Sequence, residues 1–500
     1  MTSGVPPLIK SIGWTGGIIE SRAQMLDLQR QLGTGRVAET YGGLGSGRTL
    51  ALSMQAQISR IDTYSANIET LSLRLDMMAL SLDQFTELAA TTKSDVRNGT
   101  YTFSKNGQTL PQDLTRTNFD EAIALLNAEV NGRYLFSGDT VDVQPVEDSE
   151  TILKGDGVRD GLDTVVAQRK LADAGADNRG RLALTNGGTS LTIGEDGAHP
   201  FGFKLAGISS TFAGATLTQP TGTAPQTATF ALTGVPAAGD TFAVAVDLPD
   251  GTRHEITLTA SSDGSQPGTF AIGVDETATI ANIEAALGSA LETAGQTVLP
   301  AASTVTASRN FFESDLDNPP LRVDGPPYES ATGMISGTAS YTVIWYKGDS
   351  AATDPRGTSV TRIDENSVVG YGARASEEPF AWALAHMAAF AVDTFDSSKP
   401  LDEARFNALK TRIGDGLAYK DNSVRTMESI RAEYVGLQSS YASAQERHVV
   451  SKQIAEDALT GVTKVDDEEI AVKLLALQTQ LQISYEATAM LSRLNLAQFL

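Results

Sequence analysis

Between Ala51 and Arg97 the chain carries neither proline nor glycine, and its apolar residues return every seven positions. One series runs Met54, Ile61, Ile68, Leu75, Leu82, Ala89, and a second, three residues on, runs Gln57, Tyr64, Leu71, Met78, Phe85. This pattern predicts a single helix roughly 70 Å long at the standard rise. A seven-residue repeat keeps its stripe against a partner only in a left-handed supercoil, so the segment requires another long helix beside it. A matching pattern lies between about Ser423 and Leu459, with Met427, Tyr434, Tyr441, His448 and Ala455 in one series and Ile430, Leu437, Ala444, Ser451 and Ala458 in the other.

Two terminal segments have the same habit. Ile18, Met25, Leu28 and Leu32 recur at heptad spacing near the start, and Ile470, Leu474, Leu477 and Leu481 follow at four, three and four near the end, continuing through Leu491 and Leu494. Apolar stripes of this kind need cover, so these ten residues are the predicted assembly interface. Shorter helices are predicted at Asn118 to about Asn131, with Asn118 as N-cap and Glu121 three residues on, and at Ser376 to about Phe395. From about Leu182 to Gly370 the texture changes to short alternating strands broken by Gly, Pro, Asn and Asp. Thr241–Leu248 and His254–Thr259 flank an Asp-Gly turn and read as a hairpin, and one helix is predicted at Ile280 to about Leu291.

The expected fold is therefore α+β: an elongated antiparallel helical bundle or coiled coil built from the N- and C-terminal regions, with an inserted β-rich domain. The expected division is a terminal coiled-coil domain (1–45 and 465–500), a helical rod (46–181 and 371–464) and an inserted β-rich variable domain (182–370).

Composition narrows the function. Asp and Glu number 61 against 38 Lys and Arg, a net charge of −23 that would repel a phosphate backbone, so nucleic acid is not an expected partner. No cysteine is present, which removes disulfides, thiolate metal sites and cysteine nucleophiles. The stretch Met1–Trp14 lacks the apolar core of a cleaved secretory signal, and Phe380–Val392, interrupted by His386, is too short to span a bilayer.

Candidate chemistry is sparse. Gly42–Thr49, GGLGSGRT, approaches a phosphate-binding loop, but Arg48 stands where the lysine belongs and no apolar strand precedes it, so it reads as a flexible joint between helices. His199, His254, His386 and His448 have no metal-ligand or triad spacing; His448 falls on the heptad seam as a packing residue, and His254 reads as a solvent-facing neighbour of Glu255. Acidic clusters at Asp156, Asp160 and Asp163, at Asp315 and Asp317, and at Asp466–Glu469 lack the order of a calcium loop, and the last suits the dipole of the helix it precedes. No catalytic, cofactor or metal-binding residue is assigned, and the chain is not expected to be an enzyme.

Three segments carry a resemblance. Asn131–Asp139, NGRYLFSGD, resembles the segment that closes the N-terminal bundle region of hook-filament junction proteins. Asp466–Leu500, DDEEIAVKLLALQTQLQISYEATAMLSRLNLAQFL, is similar to the closing helix shared by that family and the flagellins, and Leu28–Val37, LQRQLGTGRV, to the family's first helix and turn. Ala38–Leu52, AETYGGLGSGRTLAL, departs from the flagellin pattern at that point, which favours the junction family. The resemblance implies a structural subunit of the bacterial flagellum, most simply the hook-associated junction protein, with filament flagellin as the alternative and a surface-binding, adhesin-like insertion as a further one. It also implies export through the flagellum's own type III apparatus without a cleaved signal. The implied partners are further copies of the chain in a ring or helical array, neighbouring hook-associated and flagellin subunits, and an export chaperone at the C-terminal helix. No membrane insertion is implied.

Overall fold

The computed structural model describes residues 8–105, 107–351, 354–418 and 425–497, with side chains described from Gly16 to Met490 of these. In chain order come α1 (Leu8–Thr34), α2 (Arg48–Asn98), α3 (Leu110–Leu126), the short strands β1 (Glu129–Val130) and β2 (Arg133–Tyr134), α4 (Ser149–Lys154) and α5 (Leu162–Ala174). Eight strands follow: β3 (Leu182–Asn186), β4 (Ser190–Glu195), β5 (Lys204–Ser210), β6 (Ala215–Thr218), β7 (Thr227–Leu232), β8 (Thr241–Asp247), β9 (Arg253–Ser261) and β10 (Thr269–Ala271). Then come α6 (Glu276–Gln296), α7 (Val298–Phe312), β11 (Leu321–Val323), β12 (Met334–Ser336), β13 (Val360–Asp364) and β14 (Ser367–Gly370). The chain returns to helix in α8 (Glu378–Val392), α9 (Asp402–Gly416), α10 (Met427–Thr463) and α11 (Asp467–Ala497). The fold is α+β, long helices at both ends of the sequence enclosing a region of small sheets. It divides into two compact units, one of residues up to Leu71, Arg362–Val368 and Gln438 onward, the other of Ser72–Thr361 and Val369–Leu437.

In the first unit the early part of α2 buries Ala51, Ile58, Ile61 and Ile68, and α10 buries Ala444, His448 and Ala455. Lys452 pairs with Asp62 at 2.6 Å and His448 stacks on Tyr64 at 5.7 Å, so residue numbers rise along one helix as they fall along the other and the two run antiparallel. Segment 362–368 lies against them: Asn67 donates to the Arg362 carbonyl (3.0 Å), Arg447 pairs with Asp364 (3.0 Å), and Ile363 is buried. The Ile363 carbonyl only accepts, so the His448 Nε2 that sits 2.7 Å from it is the protonated ring nitrogen. A histidine at a heptad core position thereby has an acceptor for its ring N–H.

In the second unit the rest of α2 buries Leu75, Met78, Leu82, Phe85 and Val96, with Phe85 edge-on to Phe380 of α8 at 5.1 Å. The predicted helix at Asn118 begins earlier, at Leu110. Thr109 is its cap, Gln112 Oε1 accepts from the Thr109 backbone N–H (3.1 Å), and Gln112 Nε2 donates to the carbonyls of Phe390 and Asp393 at the end of α8. Asn118 sits inside the helix and donates to Thr92 Oγ1 instead. The predicted helix at Ile280 is α6, four residues longer at its start, and it is followed at once by α7, which packs on α5, α8 and α9. Ala301 and Val305 of α7 share a core with Val96, Phe390, Phe406 and Leu409, so the helical body runs through a segment that lies between strands in sequence.

The sheets are small. β1-β2, β11-β12 and β13-β14 are two-stranded; the four-stranded sheets have the orders β3-β4-β7-β6 and β10-β9-β8-β5, and the predicted hairpin is β8 paired antiparallel with β9, Val246 opposite His254. Alternate residues Leu191 and Ile193, Phe230 and Leu232, and Phe242, Val244 and Val246 face a core completed by Ile280, Ile283, Leu287 and Leu291 of α6. The chain enters and leaves this module at one place: a Cβ on Gly295 would lie 1.9 Å from the Asn178 carbonyl oxygen, an approach only glycine permits.

Two outcomes follow for the second unit. Phe85→Ala is expected to destabilise it by about 3–5 kcal/mol, read as a fall in urea midpoint. Replacing residues 180–294 by a short glycine linker is expected to leave a cooperative helical unfolding transition, whereas deleting 182–370, which removes α7, is expected to abolish it.

Candidate assembly interface

α1 and α11 pack along one another. Gly35, at the end of α1, accepts a backbone bond from Val465, just before α11, so the helices meet at that end and run antiparallel. Ile18, Met25 and Leu28 of α1 are half-buried, Ile470 and Leu481 of α11 are buried, and Leu474 and Leu477 are half-buried. Seven of the ten predicted interface residues thus lie on the seam that the chain makes with itself. Leu32 lies outside it, 42% exposed. The side chains of Leu491 and Leu494 lie outside the described residues.

A different set of apolar side chains faces outward. On α1 these are Ile19 and Leu26, with Leu32; on α11 they are Val472, Leu475, Ile483, Tyr485 and Met490. On α10 Val449, Val450 and Ile454 are exposed in the same way, each by more than half. The seam residues fall at spacings of three, four and seven along the sequence. The outward set includes residues at the same seven-residue spacing, Ile19 and Leu26 on α1 and Ile483 and Met490 on α11, so periodicity alone does not separate the two faces.

The segment NGRYLFSGD stitches the second unit. Asn131 (φ 55) and Gly132 (φ 72) form the two-residue turn between β1 and β2, whose left-handed backbone suits Asn-Gly. Beyond it Leu135, Phe136 and Ser137 are buried, Phe136 lies 5.8 Å from Phe380, and Arg74 donates to the Tyr134 carbonyl (3.3 Å). Ala375 donates to the Phe136 carbonyl (2.8 Å) and Gly138 to that of Ala373 (2.9 Å). Gly138 has φ 71 and a Cβ there would meet Asp349 at 2.7 Å, so glycine is required.

Several buried charges of this unit form a network. Arg356 binds Glu433 through Nε (2.7 Å) and both oxygens of Glu377 through Nη2 (2.7 and 3.0 Å), while Arg425 binds Glu433 (2.6 Å) and Glu377 (3.3 Å). Burial still holds the Glu377 carboxyl above its usual value, against the pull of Arg356. A cleft of about 1080 Å³ is lined by Trp382, His386, Arg309, Arg412, Asp250 and His254, among others. Within it Arg412 pairs with Asp250 at 2.7 Å, and the Arg309 guanidinium lies over the Trp382 ring at 4.5 Å. His254 is half-buried, not solvent-facing, and burial, then nearby Arg412, lower its pKa. His199 lies between Asp196 and Arg181. No group of His, Asp and Glu among the described residues could hold a metal ion, and no helix there is long and apolar enough to cross a membrane.

His386 is buried, with Nδ1 donating to the Trp382 carbonyl at 2.7 Å and its ring against Gly416. Burial lowers its pKa from 6.5 to about 4. The fold therefore holds it neutral, and its stabilisation is complete above about pH 6.5 and lost progressively as pH falls towards 4, by about 3 kcal/mol in all. His386→Gln is expected to remove that part of the slope, measured as the difference between wild-type and variant urea midpoints at about pH 4.5 and about pH 7.5.

Compared with curated proteins, the chain finds no match. A family comparison does find one, over α1 from Trp14, the glycine-rich joint, α2, α3 and the NGRYLFSGD segment: residues 14–140 match the bacterial flagellin N-terminal helical region.

Proposed function

We propose that this chain is a structural subunit of the bacterial flagellum that acts by self-assembly, and that its place is the hook-filament junction. The match of residues 14–140 to the flagellin N-terminal helical region carries the flagellar part of this reading. The departure of Ala38–Leu52 from the flagellin pattern supports the junction over the filament. In this reading the subunit divides into a terminal coiled coil (1–45, 465–500), a rod (46–181, 371–464) and an insertion (182–370), with α7 of the insertion packed into the core of the rod helices. Its partners are further copies, neighbouring hook-associated and flagellin subunits, and an export chaperone at the C-terminal helix.

The mechanism is burial. The seam of Ile18, Met25, Leu28, Ile470, Leu474, Leu477 and Leu481 pairs the terminal helices within one chain. The outward residues Ile19, Leu26, Leu32, Val472, Leu475, Ile483 and Met490 then face neighbours. Each contributes about 1.5–3 kcal/mol when fully covered, so a few per neighbour offset an association cost of about 4–15 kcal/mol. Contacts between unlike faces propagate into helical or ring arrays.

Immunogold labelling on intact flagella tests the placement: one band at the distal end of the hook is expected, and label along the whole filament would assign the chain to flagellin. The division of labour between faces has its own test. Met490→Asp with Leu475→Asp is expected to leave helicity by circular dichroism unchanged and to abolish sedimentable polymer, while Leu481→Asp loses both; normal polymer from the outward pair would defeat the mechanism.

A further inference from the structure

The glycine-rich joint that follows α1 is not free. Val37 donates its backbone N–H to the Thr463 carbonyl (2.9 Å) and Val465 donates to Gly35 (3.2 Å), closing an antiparallel bridge between Arg36 and Lys464. Gly35 takes up a left-handed conformation (φ 67) to enter the bridge, and Arg30 Nη2 donates to the Val37 carbonyl at 3.2 Å. Downstream, Tyr41–Gly47 is a 3₁₀ turn kinked at Gly45 (φ 55), and a Cβ on Gly47 would lie 2.6 Å from Val462 Cγ1. The glycines of GGLGSGRT thus let the joint lie flat on the last turn of α10.

The bridge has an electrostatic fault. Because the two hydrogen bonds are made by the flanking residues, Arg36 and Lys464 form the non-hydrogen-bonded pair, the register in which opposed side chains come closest. Both are cations and both are exposed. Neither makes an ion pair among the described residues: Arg30 is held by Asp27, and Glu469 by Lys473. Glu39 and Asp466–Glu468 are the acidic groups nearest in sequence, and Asp466 is engaged by the N–H groups of Glu468 and Glu469 at the start of α11. Like charges directly opposed weaken a strand pair, and salt screens the repulsion.

We infer that Gly35–Val37 and Thr463–Val465 form a clasp that sets the register of α1 on α11, and that the opposed Arg36 and Lys464 make its closure depend on ionic strength, tighter as salt rises. The sign is diagnostic, since an ordinary surface ion pair weakens with salt. The inference concerns the single chain and stands whether or not the chain is flagellar.

Hydrogen exchange of the intact protein, resolved to the amides of Val37 and Val465, reads the clasp directly. Between about 0.01 M and about 1 M sodium chloride, where the Debye length falls from roughly 30 Å to roughly 3 Å, protection of both amides is expected to rise about two- to fivefold. Arg36→Glu is expected to give higher protection at low salt that falls as salt is added, a reversal that general salting effects would not produce. The chain has no cysteine, so Arg36→Cys with Lys464→Cys introduces a single possible disulfide, at a spacing such pairs accept. That bond is expected to form in air and to hold both amides protected at every salt concentration. Unprotected amides, protection that falls with salt in the wild type, the same salt trend in Arg36→Glu, or failure of the disulfide to form in the folded chain would each overturn the inference.

Discussion

An apolar stripe on a long helix has to be covered, and in this chain the cover for each N-terminal helix lies at the far end of the sequence. Everything else in the architecture accommodates that pairing. α1 meets α11, and in the first unit α2 meets α10, so helices from opposite ends of the sequence cover one another. The pairing is selective because the two sides differ in bulk. α2 presents Ile58, Ile61 and Ile68, while α10 answers with Ala444, His448 and Ala455, small or flat residues that admit branched ones. His448 would be a liability at such a position. The Ile363 carbonyl removes it, and so ties the segment 362–368 to the seam.

The second unit answers a different demand, holding short helices and loops in fixed relation without disulfides. It uses buried polar groups that have few alternatives. Gln112 binds its own helix start and the last carbonyls of α8; Arg356 joins Glu377 to Glu433; Lys170, its pKa lowered by burial, meets Asp393 at 2.6 Å. Such pairs add little net stability over apolar packing, but removing one partner leaves the other buried and uncompensated, at a cost of about 3–5 kcal/mol. Their effect is to make competing arrangements expensive.

How much of this was legible in sequence depended on whether a signal was periodic. The heptad of α10 takes in its buried residues Ile430, Tyr434, Ala444, His448 and Ala455, that of α2 takes in Ile61, Ile68, Leu71, Leu75, Met78, Leu82 and Phe85 but misses Ala51, Ile58 and Val96, and the β8–β9 hairpin follows from alternation around Asp250-Gly251. α7 escaped because Val298–Phe312 is rich in β-branched residues and carries Pro300; its helix is held by burial on three neighbours, and tertiary packing overrides propensity there. The start of α3 escaped because Asn118 and Glu121 imitate a capping box, whereas the working cap, Thr109 and Gln112, derives its worth from carbonyls of α8 far away in sequence. The candidate interface divided differently: apolar residues at heptad spacing lie on both faces, and only the packing of α1 on α11 separates the seam from the outward set.

That division bears on how such a chain combines self-recognition with recognition of its neighbours. If one face served both, a second copy could displace α11 from α1, and the ends would exchange between chains. Keeping the intrachain seam and the outward apolar residues on different faces of the helices lets both contacts form at once, so neither has to displace the other. The bridge at Gly35–Val37 and Thr463–Val465 reinforces this by fixing the seam's register from one end, where the local loop is shortest and closing it costs least entropy. A shift of one turn along α11 would then break two backbone hydrogen bonds as well as the packing of Ile470 and Leu481. The regularity of the heptad, which by itself would tolerate a seven-residue slip, is thereby confined to a single alignment.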